Sequence, residues 1–290
     1  MSTLLFPALE PVLPYLQSDG FEERALLLAL EAAGVEVRFV DWTAEDTNAL
    51  EYDAVSPKFL WGYHLQPELW RQTLDAYAAP KWVNDKALLQ WNVDKTYLLD
   101  LRDKGVDVGE LEIVAAGGSV DLEALARKRG WGELVVKPTV SAASNDTFRG
   151  DPQSLQAHAT RILEDRALIV QPFFEDVLTR GEVSLIYAKD TFCYALSRQA
   201  VPGDFRAHPA FGGDTALLEP PQAMRAQAEH VLTQLIALPT YARIDGFPRE
   251  DGTLLISEVE LLDPNLFVGW APEAALVPLA AAFAEACGRC

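Results

Sequence analysis

The chain of 290 residues is 49% hydrophobic and carries 43 acidic against 24 basic residues, a formal net charge of −19. Its length is sufficient for two or three small domains with full hydrophobic cores, and its acidity excludes the basic surface by which proteins bind nucleic acid or anionic membranes. Three cysteines make no disulfide framework, and without a leader-like segment or an apolar run near ~20 residues a cytoplasmic location is expected.

The first 90 residues alternate between helix-like and strand-like patterns. Leucine and alanine at helical spacing predict a helix over 21–33, and Gly34 follows it as a stop signal. The other elements predicted here are a helix over 66–77 and strands over 35–40, 53–57 and 81–83. This alternation is typical of an open α/β domain, which we assign to residues 1–90. It contains no glycine-rich dinucleotide-binding motif.

Beyond residue 90, strands and helices are segregated, which predicts α+β domains over 91–170 and 171–290. The predicted helices cover 92–104, 121–129, 153–166, 223–236 and 273–287. The predicted strands cover 133–137, 167–171, 182–188 and 192–199, with two short ones between 105 and 121. The fold class is therefore α/β at the start of the chain and α+β after it.

Residues 241–260 predict a β-hairpin with charged side chains on one face. Asp251-Gly252 is a favoured two-residue turn, which Glu250 and Thr253 would flank. That register places charged residues directly opposite each other, on one face by the period of two. The pairs are Asp245 with Glu258 and Arg243 with Glu260.

Like charges opposed on a sheet are unfavourable, so the carboxylates of Asp245, Glu258 and Glu260 predict a cation between them. Hard oxygen ligands suit magnesium, which usually takes one or two carboxylates and leaves its other positions to phosphate and water. The alternative is a solvated hairpin face with an ordinary arginine–glutamate pair.

Two lysines occupy positions where an anion is expected. Lys95 lies early in the helix predicted over 92–104, and Lys137 ends the strand over 133–137. A lysine at the inward end of a strand is costly unless an anion meets it. An ordinary surface lysine is the alternative for each.

The loop over 139–147, which includes Ser141, is rich in short polar side chains. Its hydroxyl and backbone N–H groups could close over phosphates as a nest does. The loop lacks glycine, so an ordinary surface loop is the alternative.

Gln171, Pro172, Phe173 and Phe174 end an apolar strand, and Glu182 opens the next one. A purine can lie between apolar side chains and bond to backbone groups at such a hinge, and a carboxylate can accept hydrogen bonds from both ribose hydroxyls. The alternative for the two phenylalanines is the ordinary core.

Residues 197–213 carry Arg198, Arg206 and the pair Gly212-Gly213. Such arginines could clamp an anionic transition state while the glycines let the backbone approach it, and an ordinary loop with two arginines is the alternative. Lys58, at the end of the strand over 53–57, could meet a substrate carboxylate at the edge of the first sheet, or be an ordinary lysine. The sequence has no metal-spaced histidines, nucleophile elbow or Walker motif.

In chain order, these segments resemble the ATP-grasp superfamily, and within it the prokaryotic glutathione-synthetase-like branch that includes the cycloserine-pathway ligase. Each motif is short, but their order and spacing together are specific. The motifs are Trp91-Asn-Val-Asp-Lys-Thr-Tyr-Leu, Val-Val-Lys137-Pro, Val-Gln171-Pro-Phe, Gly-Glu182-Val-Ser-Leu, Arg198 with Gly-Asp-Phe-Arg206 and Gly-Gly213, Arg243-Ile-Asp245, and Glu258-Val-Glu260-Leu.

The resemblance implies an ATP-grasp fold in which ATP lies between two antiparallel sheets, with the N-terminal domain on the substrate side. The residues matched to family motifs are Lys95 and Lys137 for the α- and β-phosphates, Ser141 in the lid, Gln171 to Phe174 for adenine, Glu182 for ribose, Asp245, Glu258 and Glu260 for magnesium, and Arg198, Arg206 and Arg243 for the γ-phosphate and acyl-phosphate. The chain departs from the family in its glycine-free lid and in Glu260, where the family often has asparagine.

The implied activity is ATP-dependent ligation of a carboxylate to an amine through an acyl-phosphate. The implied cofactors are ATP and magnesium, with two ions expected and manganese able to substitute, and the implied partners are a small carboxylate, a small amine and a second copy in a homodimer. Two alternatives remain at this point: a kinase or phosphotransferase that stops at a phosphorylated product, and a nucleotide-binding module without turnover.

Overall fold

Three β-sheets organise the chain in the computed structural model, which describes residues 1–43, 51–76, 81–201, 203–204 and 212–288. The first sheet is parallel, and the second and third are antiparallel. None of the described helices is long and apolar enough to cross a membrane.

The N-terminal sheet is parallel, as the α/β pattern predicts. The elements of this part are β1 (Ser2–Ala8), α1 (Leu13–Leu16), α2 (Arg24–Ala32), β2 (Val35–Asp41), β3 (Ala54–Val55) and α3 (Pro67–Ala76), with 3₁₀ turns at Glu10–Val12 and Tyr63–Leu65. The strand order is β2-β1-β3. The central strand, β1, has no alternating pattern because it is buried from Leu4 to Ala8. The strand predicted over 81–83 is wrong, since only an isolated bridge joins Trp82 to Val55.

The single helix predicted over 92–104 is also wrong. Two helices, α4 (Lys86–Asn92) and α5 (Tyr97–Asp103), occupy this region, and Lys95 lies in the turn between them. The backbone N–H of Lys95 donates to the carbonyl of Thr139 at 2.9 Å, so a tertiary partner replaces the helical one. The break places Lys95 beside the loop over 139–147, where its ammonium donates to the carbonyl of Ser141.

The second sheet is antiparallel and covered on one face by two helices. Its elements are β4 (Glu112–Val114), α6 (Leu122–Arg129), β5 (Leu134–Pro138), β6 (Phe148–Gly150), α7 (Pro152–Leu163) and β7 (Leu168–Pro172), with strand order β4-β7-β5-β6. Both helices start at an aspartate cap, Asp121 for α6 and Asp151 for α7. Val135 pairs with Gln171 and shares a face with Lys137, opposite the helices.

The third sheet is antiparallel and contains the predicted hairpin. Its elements are α8 (Asp176–Arg180), β8 (Glu182–Ala188), β9 (Thr191–Gln199), β10 (Asp214–Leu218), α9 (Gln222–Gln234), β11 (Tyr241–Pro248), β12 (Leu254–Glu260) and the following α10 (Glu273–Ala286), with strand order β10-β9-β8-β11-β12. Helix α9 packs on one face. Helix α10 packs against α2 and the N-terminal core, where Phe283 stacks on Tyr241 at 5.1 Å. The division at residues 90 and 170 stays a prediction.

The hairpin has the predicted pairing but not the predicted turn. Arg249 N donates to the carbonyl of Thr253 at 2.9 Å, so the loop has three residues and ends at Gly252, whose φ is +79°. The three-residue loop shifts the pairing by one residue relative to the predicted register. A bulge at Ser257 restores that register, since the pairing shifts by one residue between Asp245 and Gly246. Beyond the bulge the pairs are Asp245 with Glu258 and Arg243 with Glu260, as predicted.

A buried amide holds the base of this hairpin. The Asn84 side chain donates to the carbonyls of Tyr241 and Leu261, each at 2.9 Å, and accepts from the N–H groups of Thr240 and Tyr241. We expect Asn84→Ala to lower the free energy of unfolding by about 3 kcal/mol, because these buried backbone groups lose their partners. Urea unfolding measures this; Gln90→Ala, which removes an exposed amide, is the control. Equal midpoints for the two variants would contradict the prediction.

Candidate functional site

A cleft lies between the second and third sheets. It encloses about 1240 Å³ of space, including its open mouth. The predicted site residues that line it are Lys95, Lys137, Ser141, Gln171, Phe173, Phe174, Glu182, Arg198, Arg243, Asp245, Glu258 and Glu260.

Other predicted site residues lie elsewhere. Pro172 lines a separate pocket. Gly212 is exposed, and neither it nor Gly213 is among the residues that line the cleft. Arg206 lies outside the described residues.

Lys58 is committed to an ion pair inside the protein. Its side chain is 1% exposed, and its ammonium donates to the Glu23 carboxylate, which is 3% exposed. The other Glu23 oxygen accepts from the backbone N–H of Leu266 at 2.5 Å. The charge of Lys58 is therefore already paired inside the protein, and its contact with a substrate carboxylate at the edge of the first sheet stays a prediction.

Three carboxylates on the β11-β12 hairpin lie close together. Asp245, Glu258 and Glu260 each place an oxygen within 4.8 Å of the others. Asp245 is buried, whereas the side chains of Glu258 and Glu260 are 27% and 25% exposed. Hard oxygens at this spacing fit Mg²⁺, which holds few protein carboxylates and keeps positions for water and phosphate. The three residues thus fit a magnesium site whose glutamates face the cleft.

Arg243 binds two of these carboxylates. Its Nε donates to both Asp245 oxygens at 3.0 Å, its Nη2 donates to Asp245 at 2.8 Å and also to Glu260, and its Nη1 donates to the Asn265 carbonyl at 2.8 Å. Ser184 donates to Asp245 at 2.6 Å. Burial alone would raise the pKa of Asp245, but Arg243 and Arg198 hold this pKa below its ordinary value. Asp245 is therefore anionic and strongly held.

Arg198 is less completely bonded. It is 3% exposed, and its Nη2 lies 2.9 Å from Glu182 and 3.3 Å from Asp245. In the part of the chain that the structure describes, no acceptor is aligned for a hydrogen bond with Nη2 or with the buried Nε. Burial raises the pKa of Glu182 against the attraction of Arg198. Arg198 therefore retains donors for an anion in the cleft.

The two lysines face the carboxylates from the second sheet's side. Lys95 Nζ lies 3.0 Å from Glu258 and donates to the carbonyl of Ser141. Within the described ranges, Lys137 has no ion-pair partner within 4.0 Å. Burial lowers the pKa of Lys137, against the attraction of Glu258, and the like charge of Lys95 adds to the lowering. An anion beside Lys137 would stabilise its charged form.

The other end of the cleft is apolar. Phe173, Phe174, Val177 and Phe247 line it, and the rings of Phe174 and Phe247 lie 5.9 Å apart. The guanidinium of Arg149 lies 3.5 Å from the centre of the Phe173 ring. This end offers flat apolar surfaces of the kind that accommodate an aromatic ring.

The loop over 139–147 borders the cleft through Ser141, Ala142, Ala143, Ser144 and Thr147. Ala143, Ser144 and Asp146 have positive φ, at 50°, 57° and 50°, so the loop adopts left-handed backbone without glycine. The Asp146 carboxylate anchors it to α7 and the following turn through Arg161 at 2.9 Å and Arg166 at 2.8 Å.

Several cleft residues were not predicted. Tyr63 enters from the N-terminal part, and Asp263 lies three residues after Glu260. Asn92 fixes the end of β12 by donating to the Val259 carbonyl at 2.7 Å and accepting from the N–H of Leu261 at 2.8 Å. Asn92 belongs to the motif that begins at Trp91, and Tyr63 follows Lys58 by five residues, so nearness to a predicted site residue was the available sequence signal for these two.

The stability of the metal-free protein should depend on pH through the titration of Glu260. Burial raises its pKa to about 8 against the attraction of Arg243, and Glu258 and Asp245 add to the rise. Because the pKa of Glu260 is higher in the folded protein than its ordinary value of 4.5, the protonated form stabilises the fold. This contribution is fully present below pH 4.5 and is lost as the pH rises through about 8. We expect the free energy of unfolding to fall over this range by at most about 1.4 kcal/mol per pH unit. Urea unfolding at several pH values should give a flatter profile for Glu260→Gln; parallel profiles would contradict the assignment.

Comparisons with known proteins agree with this architecture. Residues 9–84 match the family model of the N-terminal domain of D-cycloserine synthetase DcsG. Over 268 residues the chain is 27% identical to the cycloserine biosynthesis protein DcsG of Streptomyces lavendulae, covering 87% of this chain and 89% of that protein.

Two crystal structures share the fold along nearly the whole chain. D-cycloserine synthetase DcsG matches with a TM-score of 0.84 at 24% identity, covering 98% of this chain and 99% of that one. D-alanine–D-alanine ligase from Bacillus anthracis complexed with ATP matches with a TM-score of 0.67 at 15% identity, covering 100% and 98%. The chain therefore has the ATP-grasp fold, and along most of its length its sequence is similar to that of the cycloserine biosynthesis protein DcsG.

Proposed function

We propose that the protein is an ATP-dependent ligase that joins a carboxylate to an amine through an acyl-phosphate, with release of ADP and phosphate. One observation carries the proposal: the hairpin carboxylates Asp245, Glu258 and Glu260 share one end of the cleft with two lysines and two arginines. Phosphoryl transfer needs positioning and charge neutralisation more than a protein nucleophile, and this end of the cleft supplies both.

The proposed ATP position runs the length of the cleft. The adenine ring lies at the apolar end between side chains such as Phe173 and Phe247, and Glu182 accepts from the ribose hydroxyls. Lys95 and Lys137 contact the phosphates. The phosphates would provide the anion that pairs with the ammonium of Lys137. Magnesium, when held by the hairpin carboxylates, would neutralise charge on the phosphate oxygens.

In the proposed reaction, a substrate carboxylate oxygen attacks the γ-phosphorus of ATP, and the bond from that phosphorus to the bridging oxygen of ADP breaks. Arg198 and Arg243 contact the transferred phosphoryl group and offset its charge. The amine nitrogen then attacks the acyl carbon, phosphate leaves with the bonding electron pair, and the nitrogen loses a proton to solvent. The loop over 139–147 closes the cleft and excludes water, which would hydrolyse the acyl-phosphate.

An ADP-release screen over amino acids, small peptides and hydroxamates tests the proposal. We expect release to require both a carboxylate and an amine, and hydroxylamine in place of the amine to yield an acyl-hydroxamate. Amine-independent release with a stable phosphorylated product would make the protein a kinase instead. ATP binding without release across the whole panel would make it a non-catalytic nucleotide-binding module.

A further inference from the structure

One corner of the cleft carries a carboxyl group that the proposed phosphate site does not use. Asp263 lines the cleft beyond Glu260, next to Tyr63 from the N-terminal part. It lies after the end of β12, and it is not among the carboxylates whose oxygens converge on the magnesium position. This corner is therefore separate from the metal ligands, although it opens on the same space.

The Asp263 carboxylate lacks a partner. Its Oδ1 is buried, and no hydrogen bond reaches it from any residue in the described part of the chain. The same ranges contain no cation within ion-pair distance of either oxygen. An unpaired buried carboxylate is unfavourable and is usually matched by a cation or by N–H donors.

The nearby cations are already committed. Lys58 attracts Asp263 through space, but its ammonium is bonded to Glu23. Arg243 also acts on Asp263, but it is not within ion-pair distance, and most of its donors are bonded to Asp245, Glu260 and a backbone carbonyl. The described part of the chain therefore supplies no partner for the Oδ1 of Asp263, and a ligand in the cleft can supply one.

We propose that Asp263 binds the amino group of an amino-acid substrate, as an ammonium or as a neutral amine that donates N–H. The inference rests on the proposed ligase function and names one substrate class for it. A carboxylate or phosphate at this corner would meet the unpaired oxygen of Asp263 and be repelled, because Lys58 and Arg243 are already paired with Glu23 and Glu260. A nitrogen donor would be attracted by the same oxygen.

The titration behaviour of the corner agrees with this assignment. Burial raises the pKa of Asp263 well above its ordinary value against the attraction of Lys58, and Glu260 and Glu23 add to the rise. A carboxylate that is costly to keep charged gains most from a cationic ligand. A substitution that removes the carboxylate should therefore leave the ligand-free protein as stable as before. If Asp263 had only a structural role, the same substitution would lower the stability.

Thermal unfolding with matched ligands tests the proposal. The protein is first saturated with ADP and magnesium, which should raise Tm on the order of 5 °C at about 100 times Kd. Amino acids of both hands are then added, each beside the 2-hydroxy acid that has oxygen in place of the amino group. We expect at least one amino acid to raise Tm further while its hydroxy acid does not.

Asp263→Asn should abolish that preference and keep the ADP response, with the ligand-free Tm unchanged or higher. Asp263→Ser removes the same charge and replaces the first variant if its ADP response is lost. Asp165→Asn is the control, because its side chain is 77% exposed on the surface and should leave both responses intact.

The outcomes separate the two proposals. An ADP response without any preference for amino over hydroxy acids, or a preference that survives Asp263→Asn and Asp263→Ser, overturns the amino-group site and leaves the nucleotide site standing. No ADP response in the unmodified protein overturns the proposed function, and the amino-group site with it.

Discussion

Glu258→Gln is expected to lower ATP-dependent turnover on the order of 10³-fold, since several kcal/mol of charge stabilisation would be lost with a metal ligand. Glu258 lies opposite Asp245 on the hairpin, is 27% exposed and pairs with Lys95 at 3.0 Å. Glutamine keeps the shape but loses the charge that holds magnesium. The free energy of unfolding should change by less than about 1 kcal/mol, because partly exposed ion pairs contribute little.

Steady-state kinetics with magnesium titrated at saturating ATP measure this effect, and urea unfolding verifies the fold. Glu250→Gln is the matched control, since Glu250 lies in the loop of the same hairpin with its side chain 89% exposed. We expect the control to keep normal turnover and magnesium dependence. Near-normal turnover by Glu258→Gln at low magnesium would remove Glu258 from the metal site.

For the hairpin, the predicted pairing of the charged residues was right although the predicted turn was wrong. Asp251-Gly252 suggested a two-residue turn, yet the loop has three residues and the bulge at Ser257 restores the pairing of Asp245 with Glu258. Bulges carry no propensity signal strong enough to predict. The bulged residue itself contributes to the site, because Ser257 donates to Glu182 at 3.0 Å.

Predictions based on periodicity were right where local sequence decides the structure and wrong where tertiary contacts do. The helix over 121–129 is α6 within one residue, since Asp121 caps it and Gly130 ends it in left-handed backbone. The helix over 92–104 is broken at Lys95, whose backbone partner is Thr139, directly after β5. Helical spacing of apolar residues continues across the break, so no local pattern marks it.

The cleft was predictable in its charged residues but not in its full outline. Charges at unusual strand positions, such as Lys137 and Glu182, were visible as exceptions to an apolar pattern. Tyr63 and Asp263 have no such contrast with their neighbours, and they reach the cleft only because the N-terminal part and the segment after β12 meet there. Their position depends on how the three sheets pack, which no local pattern encodes.

Arg198→Met is expected to lower kcat on the order of 10³-fold, in the range found when an arginine that offsets transition-state charge is removed. Arg198 is buried, yet none of the described residues offers an acceptor aligned with its Nε or Nη2, so these donors are available to a transferred phosphoryl group. The free energy of unfolding should fall by about 3 kcal/mol, at the low end for a broken buried pair. Asp245 keeps Arg243 as a partner, while Glu182 keeps only the Ser257 hydroxyl.

Arg198→Lys separates the catalytic effect from the structural one. Lysine keeps the charge beside Glu182 and Asp245, so stability should largely return, but it lacks the planar fork that contacts several phosphoryl oxygens at once. We therefore expect kcat to stay at least about tenfold below normal with little change in KM for ATP. Arg225→Met, which removes a 39% exposed arginine from α9, should leave kcat unchanged. If Arg198→Lys restores stability and kcat together, Arg198 only holds the carboxylates in place and the phosphoryl contact must come from another residue.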